Sequence, residues 1–115
     1  MGVQVIRAAA VRMRHRGGPP GLAQVGRAVS SALSPGMGAG LAAFDGCSVA
    51  WTLQYDEVIY VIAGELTITA DGVTHVAEPG DVVWIPEGTS LIYGGRAARI
   101  FYAVQPGNWA ERSAE

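Results

Sequence analysis

Three proton-carrying side chains, Tyr55, Asp56 and Glu57, stand in a row and lead directly into the longest apolar run of the chain, Val58 to Ala63. If that run is a strand, alternation sends Glu57, Ile59 and Val61 to one face. A carboxylate held among apolar neighbours loses hydration, so its charged form is disfavoured. Its pKa then rises toward neutrality, where it serves as a general acid or base. On a later run Leu91 and Tyr93 share a face by the same rule. Glu57, Tyr55 and Asp56 are therefore the expected catalytic residues, with Tyr55 and Asp56 placed at the strand's mouth to orient a ligand or share a proton. Trp51, Leu53, Leu91, Tyr93 and Tyr102 are the expected substrate-binding wall. Structural roles compete with these: Asp56 can cap a turn, Tyr55 can pack its ring on a rim, and Glu57 can be neutralised by Arg99 or hydrogen-bonded by Tyr102.

Other chemistries find little support. All eight basic residues are Arg and none is Lys, which removes a Schiff-base or phosphate-loop lysine. The single cysteine, Cys47, gives no disulfide framework and no thiolate cluster. Gly36-Met-Gly-Ala-Gly has the wrong spacing for a dinucleotide fingerprint. Hydrophobic residues make up 50% of the chain and charged ones 16%, enough apolar content to form a packed core. The formal net charge is −2, but Arg7, Arg12, Arg14 and Arg16 crowd the start and leave the remainder acidic. Nucleic acid is therefore not an expected partner. Val58–Ala63 is far too short to span a bilayer, so no membrane partner is expected either. The start lacks a basic leader followed by a long apolar stretch, and the expected location is the cytoplasm.

The elements that must position these side chains read as short strands. Val3–Ile6 is expected to open the chain as a strand, with a weak helical signal over Ala8–Met13. The Arg/Gly/Pro-rich segment from Arg14 to Gly21 reads as an exposed, mobile loop. Gln24–Val29 and Gly40–Phe44 follow as strands. Then come seven runs at regular spacing: Val49–Leu53, Glu57–Ile62, Glu65–Ala70, Val73–Ala77, Asp81–Ile85, Thr89–Tyr93 and Arg99–Val104. Asp71-Gly72 between two of them is a strong two-residue hairpin signal. This is an all-β pattern of a sandwich or small barrel in a single domain. The expected division is an N-terminal strand and loop over 1–21, a barrel over 22–110 and a tail over 111–115.

Two motifs carry a family resemblance. Glu57-Val-Ile-Tyr-Val-Ile-Ala-Gly64 and Gly80-Asp-Val-Val-Trp-Ile-Pro86-Glu-Gly88 resemble the paired signatures of the cupin superfamily, in order and in register. That resemblance implies a double-stranded β-helix, a jelly-roll barrel with its ligand site inside. Metal-binding cupins carry His-x-His ahead of the motif glutamate and a third His after the second motif. Here those positions hold Trp51 and Leu53, or Ala50 and Thr52, and then Leu91. Only Glu57 remains, and one carboxylate does not hold a transition metal against water. No metal and no other cofactor is expected, and His15 and His75 lie away from these positions. Trp51-Thr-Leu-Gln-Tyr55-Asp56-Glu57, the upstream Ser-Pro-Gly-Met-Gly-Ala-Gly and the closing Pro106-Gly-Asn108-Trp109 resemble the cupin domain of the ethanolamine-utilisation Q protein family. That closer resemblance implies a metal-free site with Tyr-Asp-Glu in the pocket, and an acetate-kinase activity is attributed to the family's microcompartment member.

Three functions stay open. One is a metal-independent isomerase, cyclase or lyase in which Glu57 moves a proton on a small organic molecule inside a dry barrel. A second is a non-catalytic barrel that binds a small ligand. The third is a kinase-like activity, with Asp56 and Glu57 holding magnesium and arginines holding phosphate. Small cupins usually dimerise, and exchange of Val3–Ile6 between subunits is the expected route to a homodimer.

Overall fold

The computed structural model describes residues 2–113; Met1 and the last two residues of the expected tail, Ala114 and Glu115, lie outside them. Eight antiparallel strands follow one another: β1 (Arg14–Gly17), β2 (Leu22–Val29), β3 (Gly38–Asp45), β4 (Val49–Thr52), β5 (Asp56–Ala70), β6 (Val73–Ala77), β7 (Val82–Ile85) and β8 (Ser90–Gln105). A short helix, α1 (Trp109–Ser113), closes the described chain. The all-β expectation holds. Strand order is β1-β2-β3-β8-β5-β6, with β4 added to β8 and β7 added to β5.

The two long strands build the barrel. Glu57–Ile62 and Glu65–Ala70, two runs in the sequence, are one strand, β5; Thr89–Tyr93 and Arg99–Val104 likewise fuse into β8. The first half of β5 pairs with β7 and the second half with β6, while β8 runs along both halves. The β5–β8 register shifts between Val61 and Glu65, so both strands bend there and pass from one layer to the other. Gly64 makes the bend possible. It has φ of 72°, and a Cβ at that position would stand 2.1 Å from the Ala97 carbonyl oxygen. Opposite it, Ala97 sits at φ of 48° with its N–H donated to Asp45 Oδ1 at 3.0 Å. The Asp71-Gly72 hairpin is present as expected, both residues having positive φ.

Alternation then sorts the side chains. Along β5, Glu57, Ile59 and Val61 are buried, whereas Val58, Tyr60 and Ile62 are exposed. Leu53, Ile59, Val61, Leu66 and Ile100 are the largest fully enclosed side chains. Each stabilises the fold by about 1.5–3 kcal/mol through removal of apolar surface from water.

The N-terminal region departs from expectation. Val3–Ile6 forms no strand; Val3 is 99% exposed and Val5 69%. Instead Arg14–Gly17, read in sequence as a loop, pairs antiparallel with β2 through Arg14 and Val25 and through His15 and Gln24. Backbone pairing against an existing strand outweighs the low strand propensity of Arg, His and Gly. Only Ala8–Ala10 of the weak helical signal forms a turn, of the 3-10 type.

Candidate functional site

A cavity of about 370 Å³ opens among β1, β2, β3, β4, the start of β5 and both halves of β8, with Trp109 of α1 at its edge. Glu57 lies in its wall, 5% exposed and the one charged residue among the buried side chains described. Tyr93 of β8 donates its hydroxyl proton to Glu57 Oε1 at 2.6 Å. The indole Nε1–H of Trp51 donates to the Tyr55 hydroxyl at 3.0 Å, and Tyr55 in turn interacts with the Tyr93 hydroxyl. An indole N–H only donates, so Tyr55 is the acceptor in its bond with Trp51, while the Tyr93 proton is committed to Glu57. No buried side-chain polar atom among the described residues lacks a partner. With Oε1 taken by Tyr93, Glu57 Oε2 is the oxygen left to carry a proton toward the cavity.

Burial dominates the electrostatics. Loss of hydration raises the Glu57 pKa to about 7, against a smaller lowering by the Tyr93 hydrogen bond. Tyr55 is pushed up to about 12, first by burial and then by the nearby Glu57 charge. Tyr93 and Tyr102 also move up, burial again being the largest cause. The phenols therefore stay neutral and donate hydrogen bonds, while the carboxyl can change its charge near pH 7.

Aromatic rings form most of the remaining wall. Phe44 stacks on Tyr93 with ring centres 5.5 Å apart and 7° between planes. Trp109 of α1 meets Trp51 edge-on at 5.9 Å and Tyr55 at 5.0 Å. Tyr102 lies across Gly40 of β3, where a Cβ would come within 2.6 Å of the Tyr102 hydroxyl. Arg27 holds its guanidinium 5.8 Å from the centre of the Trp109 ring.

Of the residues expected at the site, Glu57, Tyr55, Trp51, Tyr93 and Tyr102 are brought together around this cavity. Asp56 is not. It alternates to the other side of β5, where its Oδ1 accepts the Glu87 N–H at 2.8 Å and ties down the turn after β7. Leu53 is also elsewhere: it follows β4, its backbone is bonded to Thr89 and Gly88, and its side chain is enclosed in the core. Leu91 shares its buried face with Tyr93, as expected, but lies two residues farther from the bend and lines a separate cleft beside β6 and β7. The donor to Glu57 is Tyr93 rather than Tyr102, and Arg99, which points outward, does not meet it. Sequence reasoning left Arg16 and Arg27 out of the site. For Arg27 a signal existed, because Ala23, Val25 and Arg27 share the inward face of β2. Arg16 was hidden by the loop reading of its segment.

The positions that carry histidine in metal-binding cupins hold an indole, Trp51, and two buried aliphatic side chains, Leu53 and Leu91. Such side chains do not fit a metal ion. Among the described residues no three His, Cys, Asp or Glu side chains converge.

Comparison with known proteins agrees with this fold. Residues 1–111 match the family described as "Ethanolamine utilisation protein EutQ". The chain belongs to the EutQ family. It is 36% identical over 110 residues to the protein of Salmonella typhimurium named acetate kinase EutQ, a match covering 94% of this chain and 48% of that protein. The chain thus spans about half the length of the curated EutQ relatives it matches. The crystal structure of a putative ethanolamine utilisation protein Q from the same organism superposes with a TM-score of 0.82 at 34% identity, covering 92% of this chain and 88% of that one. A cupin-like protein from Thermotoga maritima shares the fold alone, with a TM-score of 0.70 at 15% identity over 85% of this chain and 81% of that one. The barrel is a cupin, as the motifs around Glu57 and Gly80 imply.

Proposed function

We propose that this EutQ-family cupin binds a small organic molecule in the aromatic cavity and acts on it without a metal, Glu57 moving a proton as general acid or base. One observation carries this reading: a buried carboxyl, oriented by Tyr93, has a free oxygen toward a cavity and a pKa near 7. Protonated, Glu57 donates from Oε2 to a ligand oxygen or to a carbon at which electrons accumulate; ionised, it accepts a proton there. Tyr93 keeps Oε1 as acceptor in both states and stabilises the carboxylate that remains after donation. The aromatic walls keep water from competing for that proton. Isomerisation, cyclisation and elimination are the reactions such a single acid/base supports.

Native mass spectrometry of the protein purified from its own host without chelators identifies any retained compound. Turnover of that compound by wild type and by Glu57→Gln then decides. The reading expects an organic mass without metal, and a Glu57→Gln variant that binds but does not convert it. A variant that converts it at the wild-type rate overturns Glu57 as the acid/base, and a retained compound that the wild type itself does not convert leaves a binding module. A transition-metal mass overturns the metal-free part.

A second reading is favoured by the name of the Salmonella relative and by the arginines at the cavity: acetate-kinase-like phosphoryl transfer. Against it, Asp56 and Glu57 point to opposite sides of β5 and do not form a joint magnesium site. Magnesium-dependent formation of ADP from ATP and acetate tests it; activity retained in Asp56→Asn and lost in Arg27→Gln matches this geometry.

A further inference from the structure

Two cationic side chains at the cavity are not closed off by a salt bridge, although the Arg27 charge reaches the Glu111 carboxylate of α1 and helps lower its pKa. Arg16 of β1 and Arg27 of β2 both line it, and neither forms an ion pair with a carboxylate among the described residues. Both act on the same point, since each favours the ionised form of the Tyr102 hydroxyl. Arg27 is further held over the Trp109 ring, which limits where its guanidinium can go. Unpaired guanidiniums beside an aromatic wall match a planar anion, because the fork of N–H donors meets both oxygens of a carboxylate at once.

Size restricts the anion. A molecule of acetate's size displaces roughly two waters' worth of volume, a small part of the cavity's 370 Å³. The rest is bounded by Phe44, Trp51 and Trp109, surfaces that gain by contact with an apolar body and not by contact with water. We propose that the ligand is an organic carboxylate with a ring-sized apolar body, its anionic end held by Arg16 and Arg27 and its body lying between the aromatic walls toward Glu57. This assignment rests on the reading of the cavity as the binding site and adds the ligand class.

Isothermal titration of the full chain with 3-phenylpropanoate, 3-phenylpropanamide and acetate tests it. The phenyl acid is expected to bind at least tenfold more tightly than either the amide or acetate. Arg27→Gln should weaken the acid about tenfold and leave the amide unchanged, with Arg27→Lys recovering part of the loss. Both arginines are solvent-exposed, so folding of the variants is checked by an unchanged thermal midpoint. Equal binding of acid and amide, acetate binding as tightly as the phenyl acid, absence of binding by the acid, or an Arg16→Gln/Arg27→Gln double variant that binds the acid normally each overturns the assignment. Failure of the acid/base reading looks different: Glu57→Gln would then convert the retained compound normally, while the dependence of acid binding on the arginines persists.

Discussion

Glu57 binds its proton more tightly in the folded chain than in the unfolded one, and this fixes a sign. Its folded pKa of about 7 lies above the ordinary 4.5, so the folded state holds an extra proton between those values. The stabilisation is complete below about pH 4.5 and is lost as pH rises to about 7, roughly 3 kcal/mol in total. Glu57→Gln keeps an oxygen for Tyr93 and removes the charge. Urea denaturation at pH 4.5 and pH 7.5 should therefore show the variant gaining on wild type by about 3 kcal/mol between the two; parallel stabilities would place the carboxyl in water. Tyr93→Phe acts in the opposite direction. It removes the donor that favours the carboxylate, so it should cost about 2 kcal/mol at pH 8 and less at pH 5, measured the same way. A cost independent of pH would mean that the Tyr93 ring matters only by packing on Phe44.

At the scale of elements, the bend shared by β5 and β8 decides which residues meet at the cavity. Gly64 is the least replaceable position there, because an added Cβ would strike the Ala97 backbone. Gly72 has a similar φ, 74°, but open space around it. Gly64→Ala should cost upward of about 3 kcal/mol and Gly72→Ala about 1–2, the backbone strain alone. Equal thermal midpoints for the two variants would show that the bend absorbs the clash. These elements also explain what could be read in advance. The alternation of Glu57, Ile59 and Val61 and the Asp71-Gly72 hairpin are local patterns, and local patterns survive into the structure. Leu91 and Tyr93 do share a face, but alternation fixes only the face and not the depth along the barrel, and Leu91 falls two residues beyond Tyr93, in a separate cleft. Asp56 was assigned by adjacency to Glu57, although neighbours on a strand face opposite ways. β1 was missed because pairing with β2, and not its own composition, makes Arg14–Gly17 a strand. Tyr102 lies close to Glu57 in the β5–β8 register, but the bond comes from Tyr93, which pairs with Ile68 and Val49 and reaches Glu57 across the barrel interior.

The whole molecule presents one outer face that is unusually apolar. Tyr60 stands between Val82 and Phe101 in cross-strand register, with Val58 beside Trp84 and Ile62 farther along β5. These six side chains are 41–66% exposed and together leave roughly 600 Å² bare, at the upper end for a monomer and near what one partner gives to a stable interface. A second copy docked on this face is an expected route to the homodimer beside exchange of Val3–Ile6. Sedimentation at micromolar concentration should give twice the chain mass, and Trp84→Glu should give the monomer; a monomeric wild type would refute it. Within the barrel, burial outweighs the Tyr93 hydrogen bond and leaves Glu57 a carboxyl that changes charge near neutral pH beside a cavity. Carbon-13 NMR of glutamate-labelled protein, with Glu57→Gln to assign the signal, follows that carboxyl directly through a pH titration. The account predicts a midpoint of about 7; a midpoint near the ordinary 4.5 would contradict it, since Glu57 would then be ionised at neutral pH with no proton to give.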